Sequence, residues 1–260
     1  MKYIDCHAHL NDNKLINDID NIISMSINSG CKKIFNNGDS LESFNAILDI
    51  SKKYPNYCYS VLGIHPEFAN KNKEYYVNSE KKILENIKDI KAIGEIGLDY
   101  HYTKEEEIVK KQKELFINQI RFAKQYDLPI VVHSRDASYD TLNIIKEEKP
   151  KKVYLHCFSD SLEIFNQYIK LGIDIKFGVG GVITFKNAKV IKEIVSLNDL
   201  KYFLTETDSP YLTPEPYRGK INNPSYIPFV IKEIARIKNK DEEEVAEILF
   251  RNGEDFYGKD

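Results

Sequence analysis

The sequence predicts an α/β protein folded as one (β/α)8 barrel, the TIM-barrel arrangement, over residues 1–260. Three observations predict it. Short runs rich in Ile, Val, Tyr and Phe alternate with longer amphipathic stretches, and eight such runs can be counted. Eight units divide 260 residues into about 32 each, the size of a strand with its crossover helix. All six histidines fall at or just beyond the ends of these runs, the level that forms the catalytic face of a barrel.

The strand-like runs are 2–6, 33–36, 57–62, 90–94, 129–132, 152–155, 174–178 and 201–204. Gly, Asn or His closes each one except the last, which Thr205 follows. Helical periodicity marks 41–53, 105–126, 137–148, 162–171 and 187–197, then 227–238 and 241–250 after the last strand. Asp241, with Glu244 three residues on, has the pattern of a capping box. Between residues 210 and 228 lies a proline-interrupted loop. The competing architecture is an open doubly wound sheet, but its glycine fingerprint is missing. Gly178-Val179-Gly180-Gly181 lacks the final glycine and reads instead as a strand end with close backbone approach. There is no Walker A loop, no nucleophile elbow and no H-E-x-x-H helix.

Charge narrows the partners. With 37 basic against 40 acidic residues, the chain cannot coat nucleic acid by bulk electrostatics, though a few local cations could still hold a phosphate. Cys6, Cys31, Cys58 and Cys157 occur singly, the usage of reduced thiols in a cytoplasmic protein. The opening MKYIDCHAHL has histidines where a signal peptide needs an apolar run. No stretch approaches the roughly 20 apolar residues of a membrane span.

One strand-end histidine is usually a core residue bonded to backbone. Several on one face are a site. In His7-Ala8-His9 the period-two alternation of a strand turns both imidazoles to one side. Glu95, His133, His156 and Asp208 arrive at the same level from four other strands. Four imidazoles and two carboxylates exceed the three protein ligands of one catalytic metal, so two divalent ions are expected.

These segments resemble a known family, the TatD-type metal-dependent deoxyribonucleases of the amidohydrolase superfamily. The resemblance rests on IDCHAHL at 4–10, GIHP at 63–66, AIGEIGLDYH at 92–101, PIVVHSRDA at 129–137, LHCFS at 155–159 and TETDSPYL at 205–212, with RG at 218–219 and NNPSYI at 222–227. The ending Asn252-Gly253-Glu254-Asp255-Phe256 matches only loosely. The resemblance implies one ion on His7, His9, Glu95 and Asp208, and a second on Glu95, His133 and His156, with Glu95 bridging. It also implies hydrolysis of phosphodiester bonds at DNA ends in the 3′ to 5′ direction. Asp208, beside the water that two ions would activate, can act as general base as well as ligand. DNA ends, single strands rather than double, are the expected substrate, with no membrane or obligatory protein partner.

The family is described as Mg²⁺-dependent, whereas imidazole donors favour Zn²⁺, Mn²⁺, Fe²⁺ or Ni²⁺. His65, Arg135 and Arg218 are candidates for phosphate contact. Asp99 and His101 follow Glu95 and are expected to orient ligands or touch substrate. Glu206 shares a strand face with Asp208 and is expected to support it through hydrogen bonds. Cys6 and Cys157 point away from the histidines by strand alternation. The alternatives are a hydrolase of the same superfamily acting on an ester, lactone or amide, and a metal-binding protein without catalysis.

Overall fold

In a computed structural model that describes residues 1–258, eight strands form one parallel sheet in the order β1 to β8. They are β1 (Tyr3–Ala8), β2 (Cys31–Asn37), β3 (Cys58–Leu62), β4 (Ile90–Asp99), β5 (Ile130–Arg135), β6 (Lys152–Leu155), β7 (Asp174–Val179) and β8 (Phe203–Thr205). Helices α1 (Ile19–Ser29), α2 (Phe44–Lys53), α3 (Lys73–Glu85), α4 (Glu106–Gln125), α5 (Ser138–Glu148), α6 (Leu162–Ile169) and α7 (Lys189–Leu197) connect them. α8 (Ile227–Lys238) and α9 (Glu242–Tyr257) follow β8. This is the (β/α)8 barrel that the alternation predicts.

Four elements depart from the sequence reading. β4 continues five residues past Gly94 to Asp99, so Glu95 stands within the strand. Its pairing with β5 shifts register between Ile93 and Ile96. α1 and α3 were not among the marked helices; α3 buries only Ser79 and Ile83, too little for its apolar period to stand out. α9 runs on from 250 to Tyr257, so the loosely matching ending is its last two turns. Asp241 caps that helix, accepting from the backbone N–H groups of Glu243 at 2.9 Å and Glu244 at 3.2 Å.

Two apolar layers follow from strand alternation. One lies between sheet and helices and includes Ile34, Ile93, Phe116, Ile120 and Phe177. The other fills the barrel interior with Ile4, Phe35, Val61, Val131, Tyr154 and Leu204, and α9 seals it from the strand N-terminal side with Phe250, Phe256 and Tyr257. Tyr257 stacks on Phe35 with ring centroids 3.6 Å apart, and its hydroxyl donates to the Cys6 carbonyl at 3.0 Å. Cys6 therefore belongs to this floor, beside Gly253.

The barrel closes with little strand pairing. A single bridge joins Ala8 to Ser209, reinforced by Asp208 N–H to the His7 carbonyl at 2.9 Å. The buried Asp5 carboxylate takes over where the ladder fails. It accepts from Thr207 N–H at 3.0 Å, the Thr207 hydroxyl at 2.6 Å and His7 N–H at 3.3 Å. Burial pushes its carboxyl up to about 7, partly offset by those same hydrogen bonds. Among the described residues no helix is long and apolar enough to cross a membrane.

Candidate metal centre

Six donor side chains converge at the C-terminal ends of β1, β4, β5, β6 and β8. A register shift between Asp5 and Ala8 lets the end of β1 turn toward the barrel axis. The Nε2 atoms of His7 and His9 lie 3.1 Å apart. Each is 3.4 Å from Glu95 Oε2, and they stand 3.6 and 3.5 Å from Asp208 Oδ1. An ion held tetrahedrally at about 2.0–2.1 Å requires donor separations of about 3.3–3.4 Å. These five separations lie close to that requirement, and His7, His9 and Glu95 form one group able to hold an ion.

The other oxygen of Glu95 faces a second group. Oε1 is 2.9 Å from His133 Nδ1 and 2.8 Å from His156 Nε2, and those nitrogens are 3.2 Å apart. His65 Nε2 stands a little farther off, 3.6 Å from the same oxygen. The donor sets suit metal ions by composition as well, mixing imidazole with carboxylate.

Outer hydrogen bonds fix two of the rings. His9 Nδ1 donates to the Asn37 carbonyl at 3.0 Å, and His133 Nε2 donates to Asp99 Oδ2 at 3.0 Å. His7 and His156 have no such partner at Nδ1; their rings stack instead, 4.0 Å between centroids. Burial alone would raise the Glu95 carboxyl, but His156, His133 and His7 around it hold it well below the carboxylate range. Burial lowers His7 to about 4. It also opposes protonation of His133, yet Asp99 and Glu95 win and lift that ring to about 9. Asp208 adopts a left-handed backbone, φ 55°, a conformation that aspartate tolerates better than most residues.

The remaining sequence candidates divide. His65 and Arg135 line the groove above the donors, about 970 Å³ in volume, together with Asp99. The Arg135 guanidinium also lies 5.2 Å from the Tyr102 ring centroid. Glu206 is fully buried beneath the site, where it accepts from Cys157 N–H at 2.7 Å and from the Tyr154 hydroxyl. His101 is exposed and pairs with Asp136 Oδ2 at 3.1 Å, outside the groove lining. Arg218 is also outside the groove lining, its guanidinium 4.3 Å from the Phe185 ring centroid.

Cys157 corrects an argument from alternation. It has left the strand with φ 47° and lines the groove. Burial pushes its thiol well up, so it stays protonated.

Two positioning residues escaped the sequence reading. Gln112 clamps Asp99 through both backbone groups at 2.9 Å, and Gln119 does the same for Ile64 at 2.8 and 2.9 Å. Both lie on one face of α4, two turns apart, and polar residues on an inward face were the available signal. The groove's wall also carries Asp12, Asp39, Glu42 and Glu67, an acidic side opposite Arg135.

A parallel barrel with His, Glu and Asp donors gathered at its strand C-termini defines the class of (β/α)8 metal-dependent hydrolases. Within that class the chain belongs to the TatD-related DNase family, whose profile matches residues 4–258. It is 38% identical over 250 residues to the metal-dependent hydrolase YabD of Bacillus subtilis (strain 168), covering 95% of this chain and 96% of that one. To the metal-dependent hydrolase YcfH of Escherichia coli (strain K12) it is 33% identical over 257 residues, covering 97% and 94%. The crystal structure of YJJV, a TatD homologue from Escherichia coli k12, superposes with a TM-score of 0.90 at 26% identity, covering 98% of this chain and 97% of that one.

Proposed function

We propose that this chain is a deoxyribonuclease that hydrolyses phosphodiester bonds at DNA ends, removing nucleotides in the 3′ to 5′ direction from single strands. The observation that carries the reading is the division of Glu95, whose two carboxylate oxygens serve two separate donor groups. His7, His9, Glu95 and Asp208 would hold one divalent ion, and Glu95, His133 and His156 the other. When bound, the pair supplies an activated water and neutralises charge on the phosphoryl and leaving oxygens.

The chain's own residues do the rest. Asp208, partly open to the groove, accepts the proton as that water adds to phosphorus and the P–O bond to the shortened strand breaks. His65 donates to a non-bridging phosphate oxygen, and Arg135 at the rim grips the next phosphate with its planar fork. Asp99 keeps the His133 ring from turning. Arg218 meets the strand farther out, beyond the rim, and His101 touches it only from outside the groove. Four imidazoles among six donors favour Zn²⁺, Mn²⁺, Fe²⁺ or Ni²⁺ as resident ions, with added Mg²⁺ also supporting turnover.

The acidic wall of Asp12, Asp39, Glu42 and Glu67 favours a second reading, hydrolysis of an uncharged ester, lactone or amide. One assay separates the two. Metal-reconstituted protein is given single- and double-stranded DNA, RNA and a small phosphodiester, with Asp208→Ala as control. Shortening of DNA by wild type alone supports the nuclease; shortening that persists in the variant identifies a contaminant. Hydrolysis of a carboxylic ester without any phosphodiester cleavage overturns the nuclease reading.

A further inference from the structure

A side cavity of about 170 Å³ opens from the groove between the ends of β6, β7 and β8. Cys157, Ser159, Asp208 and Leu212 line both spaces, so the cavity begins at the proposed general base. Its inner wall is apolar, formed by Phe158, Val182, Ile183, Ala188 and Ile191. The one carboxylate in that wall besides Asp208 is Glu206, already taken by Cys157 N–H and the Tyr154 hydroxyl. Asn187 offers an amide and Lys189 a cation at the exposed lip.

We infer that this cavity receives the base of the terminal nucleotide, and that its size selects a single six-membered ring, a pyrimidine, over a purine. The inference rests on the nuclease reading and names what that site discriminates. An apolar cavity of about 150 Å³ is enough to take up benzene, so 170 Å³ accepts one aromatic ring and leaves the fused second ring of a purine outside. Phe158 gives that ring an aromatic face.

Charge points to the same side. The acids Asp39, Glu42 and Glu67 occupy loops after β2 and β3, while Asp12, after β1, accepts from the Tyr211 hydroxyl of the loop after β8. The cations Lys186, Lys189 and Lys220 are exposed on the loops after β7 and β8, with Arg218 seated on Phe185 between them. A polyanionic strand therefore approaches over the cavity's side, which brings its last base to the opening.

The test uses 5′-labelled oligonucleotides alike except for the 3′-terminal residue: dT, dC, dA, dG or an abasic tetrahydrofuran. Wild-type, metal-loaded protein should remove dT and dC faster than the purines or the abasic unit, by about tenfold or more in kcat/KM, as expected for filling an apolar pocket. Ala188→Phe, which fills the cavity, should bring the ratio of thymidine to abasic ends close to one. Val182→Ala, which enlarges it, should raise purine removal relative to pyrimidine, and its result stands even if the phenylalanine variant does not fold. Equal removal of all five ends, a purine preference, or an unchanged ratio in a folded, metal-loaded Ala188→Phe protein overturns the inference alone. Failure to cut any strand overturns the nuclease reading and this inference with it.

Discussion

Gly178 exists to make room for Glu206, and replacing it by alanine tests that directly. A Cβ at 178 would lie 2.4 Å from Glu206 Oε2 and 2.6 Å from its Oε1 and Cδ. Real Cβ atoms essentially never show such separations, so the fully buried Glu206 must shift. Moving its carboxylate strands two buried donors, Cys157 N–H and the Tyr154 hydroxyl. At about 1–3 kcal/mol for each of the two unsatisfied groups, less at most about 1 kcal/mol recovered from the stiffer unfolded chain, Gly178→Ala should destabilise by roughly 1–6 kcal/mol. For a chain of this size that is on the order of 2–20 °C in Tm.

The measurement is thermal unfolding in excess chelator, so that ion binding does not contribute, on wild type, Gly178→Ala, Glu206→Ala and the double variant. Because Glu206→Ala removes the same acceptor, the double variant should cost no more than that change alone. The coupling should therefore be about 1 kcal/mol or more. A Gly178→Ala protein within about 0.5 kcal/mol of wild type, or a strictly additive cycle, would refute the reasoning.

Other expectations follow from the donor geometry. Protein purified without added metal or chelator should contain Zn, Mn, Fe or Ni by elemental analysis, and ion-free protein with full activity in Mg²⁺ alone would contradict it. Asp99→Ala removes the acceptor of His133 Nε2 and should weaken one ion by about 10- to 100-fold while sparing the other, as read by chelator competition. Restoring metal to chelated protein should raise Tm, since an ion at 100 times its Kd contributes about 2.7 kcal/mol; unchanged melting would show that the donors are not a folded-state ion site. Arg135→Ala should raise KM for oligonucleotides by about tenfold with kcat little changed, and Arg218→Ala should raise it less.

Much of the barrel was legible because its period is local. Most strand runs end where a stopping residue stands, though β4 passes Gly94, and five strands bring the six candidate donors together without any need to know the packing. What the sequence hid depends on partners far along the chain. Gln112 is opposite Asp99 across 13 residues and Gln119 opposite Ile64 across 55, distances at which no periodicity speaks. Gly178 could be read as a place of close approach, but not that Glu206 was what approached.

Nearness in sequence misleads in the other direction. His101 stands two residues after Asp99 and yet turns outward to Asp136. Alternation fails at Cys157 because the chain has already left extended geometry there. α3 hid for a plainer reason: its Asn, Ser and Lys content dilutes the apolar stripe that marks a helix, whereas α1 carries a clear stripe in Ile19, Ile22 and Ile23 that was passed over.

The plug made by α9 has a consequence for traffic. Phe250, Phe256 and Tyr257 shut the far end of the barrel, so the site has one doorway. Whatever enters must leave by the same route, and no polymer can be drawn through the molecule as thread through a ring. Substrate and product must therefore share that doorway. A compound that merely lodges in the mouth would stop the enzyme without touching its chemistry.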